Sequence, residues 1–180
     1  MNTSSSGSVL KTILAVIAAV FGIGLLIGGI YLAVLGGSWY YIIAGILFIA
    51  TAVLLYKRKS AALLVYAIFV LATVVWGLWE VGSDFFALAP RLDILGLFGL
   101  ALLIPAVTRG FDQSKGAKIA LGGSLAITIA VMIYAVFNDP QEIRGELKSQ
   151  QPAAHQPIPG VADEDWPAYG RTQSGLRYSP

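Results

Sequence analysis

The chain has 180 residues, of which 57% are hydrophobic and 12% are charged. An average soluble domain is roughly 45–50% apolar and about 25% charged, so this composition excludes an ordinary soluble protein and indicates a multi-pass membrane protein. The net charge of +2 gives no sign of a nucleic-acid surface. The chain has no cysteine, which excludes disulfides, thiolate metal sites and cysteine nucleophiles, and its single histidine, His155, cannot form a metal site alone.

Five apolar segments are candidates for membrane-spanning helices, because a bilayer core about 30 Å thick needs roughly 20 apolar helical residues to cross it. We predict these five spans at 13–35, 39–56, 61–79, 92–107 and 119–137. The first span is longer than the apolar part of a typical signal peptide, so we expect a retained helix. The fourth is the least regular, because its uncharged part is short and contains Pro105, and 85–89 could add a re-entrant or interfacial piece.

The distribution of basic residues between the loops favours five crossings. Seven basic residues lie in alternate loops, namely Lys11, Lys57, Arg58, Lys59, Arg109, Lys115 and Lys118. The helix-flanking parts of the opposite loops contain one, Arg91. Because cytoplasmic loops are enriched in Lys and Arg, we expect a cytoplasmic N-terminus and a C-terminus on the outer side. Four crossings would place the loop from Arg109 to Lys118 on the wrong side.

Small residues in the predicted helices indicate where helices pack. Gly24 and Gly28 form a small-xxx-small pair, a spacing that lets helix backbones approach closely. We interpret further small residues in the same way, namely Gly96, Gly99, Gly122, Gly123 and Ser124. These faces could pack within the bundle or between copies of the chain.

The stretch 76–93 is the most informative part of the membrane region. It reads WGLWEVGSDFFALAPRLD and places aromatic residues, three carboxylates and one arginine at the outer membrane interface. If the third helix continued, Glu80 and Asp84 would share a face and repel each other. We therefore expect Gly82 and Ser83 to mark the end of that helix.

Two interpretations of this stretch remain open. It is either an interfacial loop with an aromatic belt, or a docking place for an amphipathic quinone, which needs apolar walls and a few polar groups for its carbonyl oxygens. Arg91 is expected to pair with Asp93, Glu80 or Asp84. In the second interpretation the site residues are Trp76, Trp79, Glu80, Asp84, Arg91 and Asp93.

The composition changes after Phe137. Residues 138–164 are rich in Gln, Pro, Ala and acidic side chains, so we expect an extended linker in which His155 is solvated. Residues 165–180 resemble the first edge of another domain and are too few to bury a core. The predicted organisation is an all-α five-helix membrane domain at 13–137, preceded by a cytoplasmic N-terminus at 1–12.

Several short motifs are shared with a known family. DWPAYGR (165–171) and RYSP (177–180) resemble the opening of the β-propeller in dehydrogenases that depend on pyrroloquinoline quinone (PQQ). Three motifs of the membrane region are GGSWYY (36–41), WEVGSDFFALAPRLDIL (79–95) and FNDPQEIRG (137–145). These are similar to the membrane-bound quinoprotein glucose dehydrogenases and their quinate and shikimate relatives, and the likeness covers essentially the whole chain.

The resemblance implies a periplasmic propeller that oxidises D-glucose at C1 to gluconolactone, using PQQ and calcium or magnesium. Electrons then pass to ubiquinone in the bacterial inner membrane. The family's PQQ ligands, metal ligands and catalytic residues lie in the propeller beyond Pro180, so none of them is carried onto this chain. The chain is then the inner-membrane anchor with a periplasmic C-terminus, and we expect it to be a fragment or truncated form that has no dehydrogenase activity alone.

The expected partners are membrane lipids, ubiquinone and the C-terminal propeller, with no nucleic acid. Two other functions remain alternatives. One is a purely structural membrane tether without a quinone role. The other is a small transporter or channel subunit. This alternative is disfavoured because spans one, two, three and five have no ionisable residue in their middle. Glucose cannot be separated from quinate or shikimate as substrate, because specificity belongs to the propeller.

Overall fold

The computed structural model describes residues 3–112 and 115–138, which form an all-helical bundle without strands. The helices are α1 (Thr3–Val34), α2 (Tyr40–Tyr56), α3 (Ala61–Val81), α4 (Phe85–Leu103), α5 (Pro105–Thr108) and α6 (Lys115–Phe137). The predicted domain start at 165–180 and all but the first residue of the predicted linker at 138–164 lie outside the described residues.

Among the described residues, four helical segments are long and apolar enough to cross a membrane. These are Ser8–Val34, Ala61–Val81, Phe85–Leu103 and Lys115–Phe137. The helix α2 is apolar but shorter, with 17 residues. The helix α1 begins at Thr3, ten residues before the predicted span, because helical backbone continues through the polar residues that precede the apolar segment.

The helix α4 differs most from its prediction. The sequence predicts a span at 92–107 with a separate piece at 85–89, whereas the structure joins both into one helix that ends at Leu103. The Asp84 side chain caps this helix by accepting a hydrogen bond from the backbone N–H of Ala87 at 3.0 Å. At the other end, Ile104 leaves the helical conformation and Pro105 begins the short α5, since the residue before a proline disfavours the helical region.

The helix α3 lies at the centre of the bundle and packs against α2, α4 and α6. The helix α1 runs along α2, and α4 also packs against α6. Aromatic side chains fill the middle, where the Phe48 and Phe69 rings meet edge to face with centroids 5.0 Å apart. The buried Tyr66 hydroxyl donates to the Leu95 carbonyl oxygen at 2.8 Å, so this polar group is satisfied inside an apolar core.

Glycines bring α1 and α2 into close contact, but not at the predicted pair. A Cβ atom on Gly45 would lie 2.6 Å from the Leu26 nitrogen, and one on Gly29 would lie 2.7 Å from the Ile42 nitrogen. For Gly24 and Gly28, which are expected to pack within the bundle or between copies, the described residues disfavour the first alternative, because a Cβ there would have nothing within 4 Å. The α2-facing stripe of α1 passes through residues 22, 26 and 29, and the predicted pair lies on another face.

The other predicted small residues divide in the same way. A Cβ on Gly99 would lie 2.8 Å from the Leu125 side chain, and Ser124 is buried, so both are packed within the bundle. A Cβ would instead meet open space at three positions, Gly96, Gly122 and Gly123.

Hydrogen bonds between loops show which helix ends lie together. At one end the Ser60 backbone N–H donates to the Asp112 carboxylate, which holds the pKa of that carboxyl below its usual range. At the other end the Ser83 hydroxyl donates to the Asn138 carbonyl oxygen at 2.7 Å. The α3–α4 turn and the end of α6 therefore share one end of the bundle, while the starts of α3 and α6 share the other.

The sequence's prediction that the third helix ends near Gly82 is confirmed.

Candidate functional site

A cavity of about 390 Å³ lies between α1, α2, α3 and α4. This volume falls within the range of roughly 300–1,000 Å³ that is typical of small-molecule sites. Its lining includes Glu80, which is the single acidic residue of α3 and lies near the end of that helix, and Ser38 from the α1–α2 turn. The cavity therefore reaches the end of the bundle that carries the α3–α4 turn.

The cavity is polar at that end and apolar further inside. Its charged lining residues, Glu80 and Arg91, lie near the α3–α4 turn. Phe69 lies on the same helix as Glu80 but roughly 16 Å away along the axis, at a rise of about 1.5 Å per residue. Phe48 of α2 and Leu95 of α4 complete the apolar part. The arrangement therefore suits a ligand with a polar head and an apolar remainder.

An ion pair stands at the polar end of the cavity. The Arg91 Nη2 lies 3.3 Å from the Glu80 Oε2, and the Arg91 Nη1 donates to the Ala87 carbonyl oxygen. The expectation that Arg91 pairs with one of the three nearby carboxylates is confirmed for Glu80. The two side chains are 33% and 41% exposed, and an ion pair this exposed contributes about 0–1 kcal/mol to stability. The ion pair therefore matters mainly because it holds the Arg91 guanidinium at the cavity.

A second polar group lies deeper, on the α2 side. The Tyr40 hydroxyl is 3.0 Å from the Thr73 Oγ1, and the Thr73 hydroxyl donates to the Phe69 carbonyl oxygen. Because threonine has a single hydroxyl hydrogen, Tyr40 is the donor in the pair. The Tyr40 ring also packs against Trp76, with centroids 5.8 Å apart. Tyr40 thus presents a hydrogen-bonding group beside an aromatic wall.

The structure brings three of the six predicted site residues together. Trp76, Glu80 and Arg91 all line the cavity. The other three lie outside it: Trp79 is 77% exposed on another face of α3, Asp84 caps α4, and Asp93 is exposed. The reason is helical phase, since two residues along a helix turn by about 200°, which carries Asp93 away from the face of Arg91.

Sequence reasoning missed four lining residues that carry hydroxyl groups, Ser38, Tyr40, Tyr41 and Thr73. Three of them lie in the GGSWYY motif, which is distant in sequence from the stretch 76–93. Thr73 lies seven residues before Glu80, which is two helical turns and therefore the same face. That spacing is the signal by which Thr73 could be found.

No protein-family profile matches the chain, and no solved structure is significantly similar to it. The chain is 58% identical to quinoprotein glucose dehydrogenase A of Acinetobacter calcoaceticus and 48% identical to the quinoprotein glucose dehydrogenase of Escherichia coli (strain K12). Both alignments include the whole chain but 22% and 23% of the relatives, so the chain spans about a fifth of their length.

A much shorter protein is also similar. The chain is 39% identical over 103 residues to the glycerol dehydrogenase small subunit of Gluconobacter thailandicus, an alignment that covers 56% of this chain and 81% of that subunit. Similar sequence thus occurs in the N-terminal region of quinoprotein glucose dehydrogenases and, over 103 residues, in a protein named as a small subunit. The chain belongs to the family formed by the N-terminal membrane regions of quinoprotein glucose dehydrogenases and the glycerol dehydrogenase small subunits.

Proposed function

We propose that the chain is the five-helix membrane domain of a PQQ-dependent dehydrogenase and that it docks ubiquinone. It anchors a catalytic β-propeller at the periplasmic face of the bacterial inner membrane, where D-glucose is oxidised to gluconolactone with PQQ and calcium or magnesium. Glucose is the proposed substrate because the two relatives with the highest identity quoted above are named glucose dehydrogenases. Electrons pass from the propeller to ubiquinone in the membrane.

The observation that carries the quinone role is the polarity of the cavity between α1 and α4. A quinone ring has two carbonyl oxygens, which accept hydrogen bonds, on a flat apolar body. The Arg91 guanidinium has five N–H donors, of which the contacts to Glu80 and Ala87 use two. Trp76 and Phe48 supply aromatic walls against which a ring can stack, and the Tyr40 hydroxyl, whose hydrogen is donated to Thr73, adds a polar atom to the lining.

PQQ itself does not fit this cavity. It is a tricyclic quinone with three carboxylates, whereas the cavity lining contains a single cation, Arg91, already paired with Glu80. A trianion would bring uncompensated charge into a largely apolar space. The proposed ligand of the cavity is therefore the uncharged membrane quinone.

The proposed orientation rests on where charge lies in the bundle. The end that joins Ser60 to Asp112 carries the basic loops, with Lys57, Arg58 and Lys59 immediately before Ser60. We assign that end to the cytoplasm by the preference of Lys and Arg for cytoplasmic loops. The opposite end, with the Ser83–Asn138 hydrogen bond and the polar part of the cavity, then faces the periplasm.

Quinone binding to the purified chain in lipid nanodiscs tests the docking role. Quinones quench tryptophan fluorescence at short range, so a short-tailed ubiquinone should produce saturable quenching that Trp76→Phe diminishes. A hydrogen bond from a charged donor contributes about 1.5–3 kcal/mol, so Arg91→Gln should weaken binding by about tenfold to a hundredfold.

Asp93→Asn is the matched control, because it also removes a charge from α4 but at a position outside the cavity. It should leave the quinone affinity unchanged. Equal effects of Arg91→Gln and Asp93→Asn would contradict docking at this cavity.

A structural tether without a quinone role is the second candidate. The similarity to a separate small subunit favours it, because such a subunit needs to do no more than hold a catalytic chain at the membrane. This candidate predicts that quinone causes no saturable quenching in the native chain.

A further inference from the structure

The cavity borders two helices that do not pack closely on each other. The helix α1 packs along α2 and touches α5, while α4 packs against α3, α5 and α6. Within the described part of the chain, α1 and α4 are not one of the closely packed pairs. Residues of both helices nevertheless line the cavity, so the cavity occupies the space between them.

The residues on the two sides of this space are apolar and partly exposed. Phe21 of α1 is 47% exposed and Ile94 of α4 is 57% exposed, and both also line the cavity. Leu25, one turn from Phe21, is partly buried and lines it too. Partly exposed lining residues on two helices that do not pack closely are the observation from which we infer that the cavity opens between them.

The opening lies along the apolar length of the helices rather than at a loop. Phe21 is 13 residues before the end of α1, which is roughly 20 Å along the axis, and Ile94 is about 14 Å from the start of α4. In a bilayer, both positions face hydrocarbon.

We propose that the gap between α1 and α4, bounded by Phe21, Leu25 and Ile94 and called here the α1–α4 portal, admits a long-tailed isoprenoid quinone sideways from the bilayer. The inference rests on the proposed quinone docking and deepens it by fixing the path of the tail. The ring reaches Arg91 at the polar end, and the tail leaves through the portal into lipid. The tail therefore never crosses the polar end of the cavity.

A second apolar groove offers a competing path. It runs along the outer side of α3 and is lined by Ile68, Leu71, Ala72, Val75, Trp76 and Trp79. Trp76 belongs to both the groove and the cavity, but its ring packs against Tyr40 on one side and Trp79 on the other, with centroids 5.8 Å and 5.5 Å apart. Trp76 is thus a wall between the two spaces. At the portal, the Phe21 ring stacks on Phe48 of α2, with centroids 6.1 Å apart, so it packs against the α2 side of the gap.

Single cysteines in this cysteine-free chain allow the two paths to be blocked separately. Ile94→Cys places a thiol at the portal, and Val75→Cys places one in the groove. Ile119→Cys, at an exposed position of α6, is the matched control. Each variant is reacted with a bulky maleimide in detergent and transferred to nanodiscs. Binding of a long-tailed ubiquinone and of its tail-less methyl analogue is then followed by tryptophan quenching.

We expect the label at position 94 to weaken binding of the long-tailed quinone at least tenfold more than it weakens binding of the tail-less analogue. Labels at 75 and 119 should change neither. Loss of long-tail binding with the label at 75 rather than 94 would overturn the portal in favour of the groove, and equal effects at all three positions would overturn any defined path. Failure of the native chain to bind the tail-less analogue would instead refute quinone docking, so the two failures are distinguishable.

Discussion

Gly45 on α2 sets how closely the first two helices approach. A Cβ atom at this position would lie 2.6 Å from the Leu26 nitrogen and 2.8 Å from the Gly22 carbonyl oxygen. These are backbone atoms, so they cannot move aside unless the whole of α1 moves away from α2. Because lipid tails are as apolar as the helices, close van der Waals contact of this kind is a main source of helix association in membranes.

Gly45→Ala should therefore destabilise the bundle. Overpacking of this kind costs typically about 1–3 kcal/mol, offset in part by the roughly 0.5–1 kcal/mol that alanine gains over glycine in a helix. Thermal unfolding in detergent, followed by circular dichroism, measures the change. Gly24→Ala is the control and should be neutral or slightly stabilising, because its Cβ would meet nothing within 4 Å. Equal melting temperatures for the two variants would contradict the packing role of Gly45.

Charged residues of the site could be predicted from the sequence, but uncharged ones could not. Glu80 and Arg91 stand out because charges are rare in an apolar chain. Tyr40 and Thr73 do not, because aromatic and hydroxyl residues are common at membrane interfaces and in helices, where they need no functional role. Their importance follows only from tertiary structure, which places α2 beside α3 and brings the two hydroxyls within 3.0 Å.

At the scale of single helices, α4 depends on how it begins. Asp84 accepts a hydrogen bond from the Ala87 N–H, and Pro90 lies close enough to the start to remove few helical hydrogen bonds. Arg91 is seven residues after Asp84, so the first two turns of α4 determine where its guanidinium lies.

Asp84→Ala should destabilise the start of α4. Loss of a helix N-cap costs about 0.5–2 kcal/mol, and Asp84→Asn should retain most of that contribution because asparagine caps helices as well as aspartate does. Hydrogen exchange of the Ala87 amide, read by mass spectrometry alongside the melting temperature, measures the effect. An Asp84→Ala variant with the exchange rate and melting temperature of the native chain would show that the cap is unimportant.

The existence of the long helices and several of their ends could be predicted, whereas both ends of α4 could not. Apolar runs of spanning length identify five segments regardless of context. The predicted start at 92 excluded Arg91 and Pro90, because charge and proline normally interrupt a span. The structure accommodates both, since Arg91 is paired with Glu80 and Pro90 lies in the second turn of α4.

On the scale of the whole molecule, the loop hydrogen bonds define two ends of the bundle. Ser60 and Asp112 lie together at the basic end, and Ser83 and Asn138 lie together at the other. The alternating pattern of basic loops in the sequence predicts the same division. Each crossing places the next loop on the opposite side of the membrane. The distribution of basic residues among the loops therefore indicates whether the number of crossings is odd or even.

Reporter fusions test the proposed orientation. Alkaline phosphatase, which folds into its active form outside the cytoplasm, should be active when fused after Pro180 and inactive when inserted after Lys59. Green fluorescent protein should give the reverse pattern, which controls for expression. Phosphatase activity after Lys59 would contradict the proposed topology, and activity at neither site would contradict five crossings.

The Ser83–Asn138 hydrogen bond holds the end of α6 on the side where the cavity is polar, because Ser83 lies three residues after Glu80. In the proposed function, a redox domain that follows α6 in sequence would begin on the same side as the quinone ring rather than across the width of the bundle. That arrangement would shorten the protein thickness through which an electron has to tunnel.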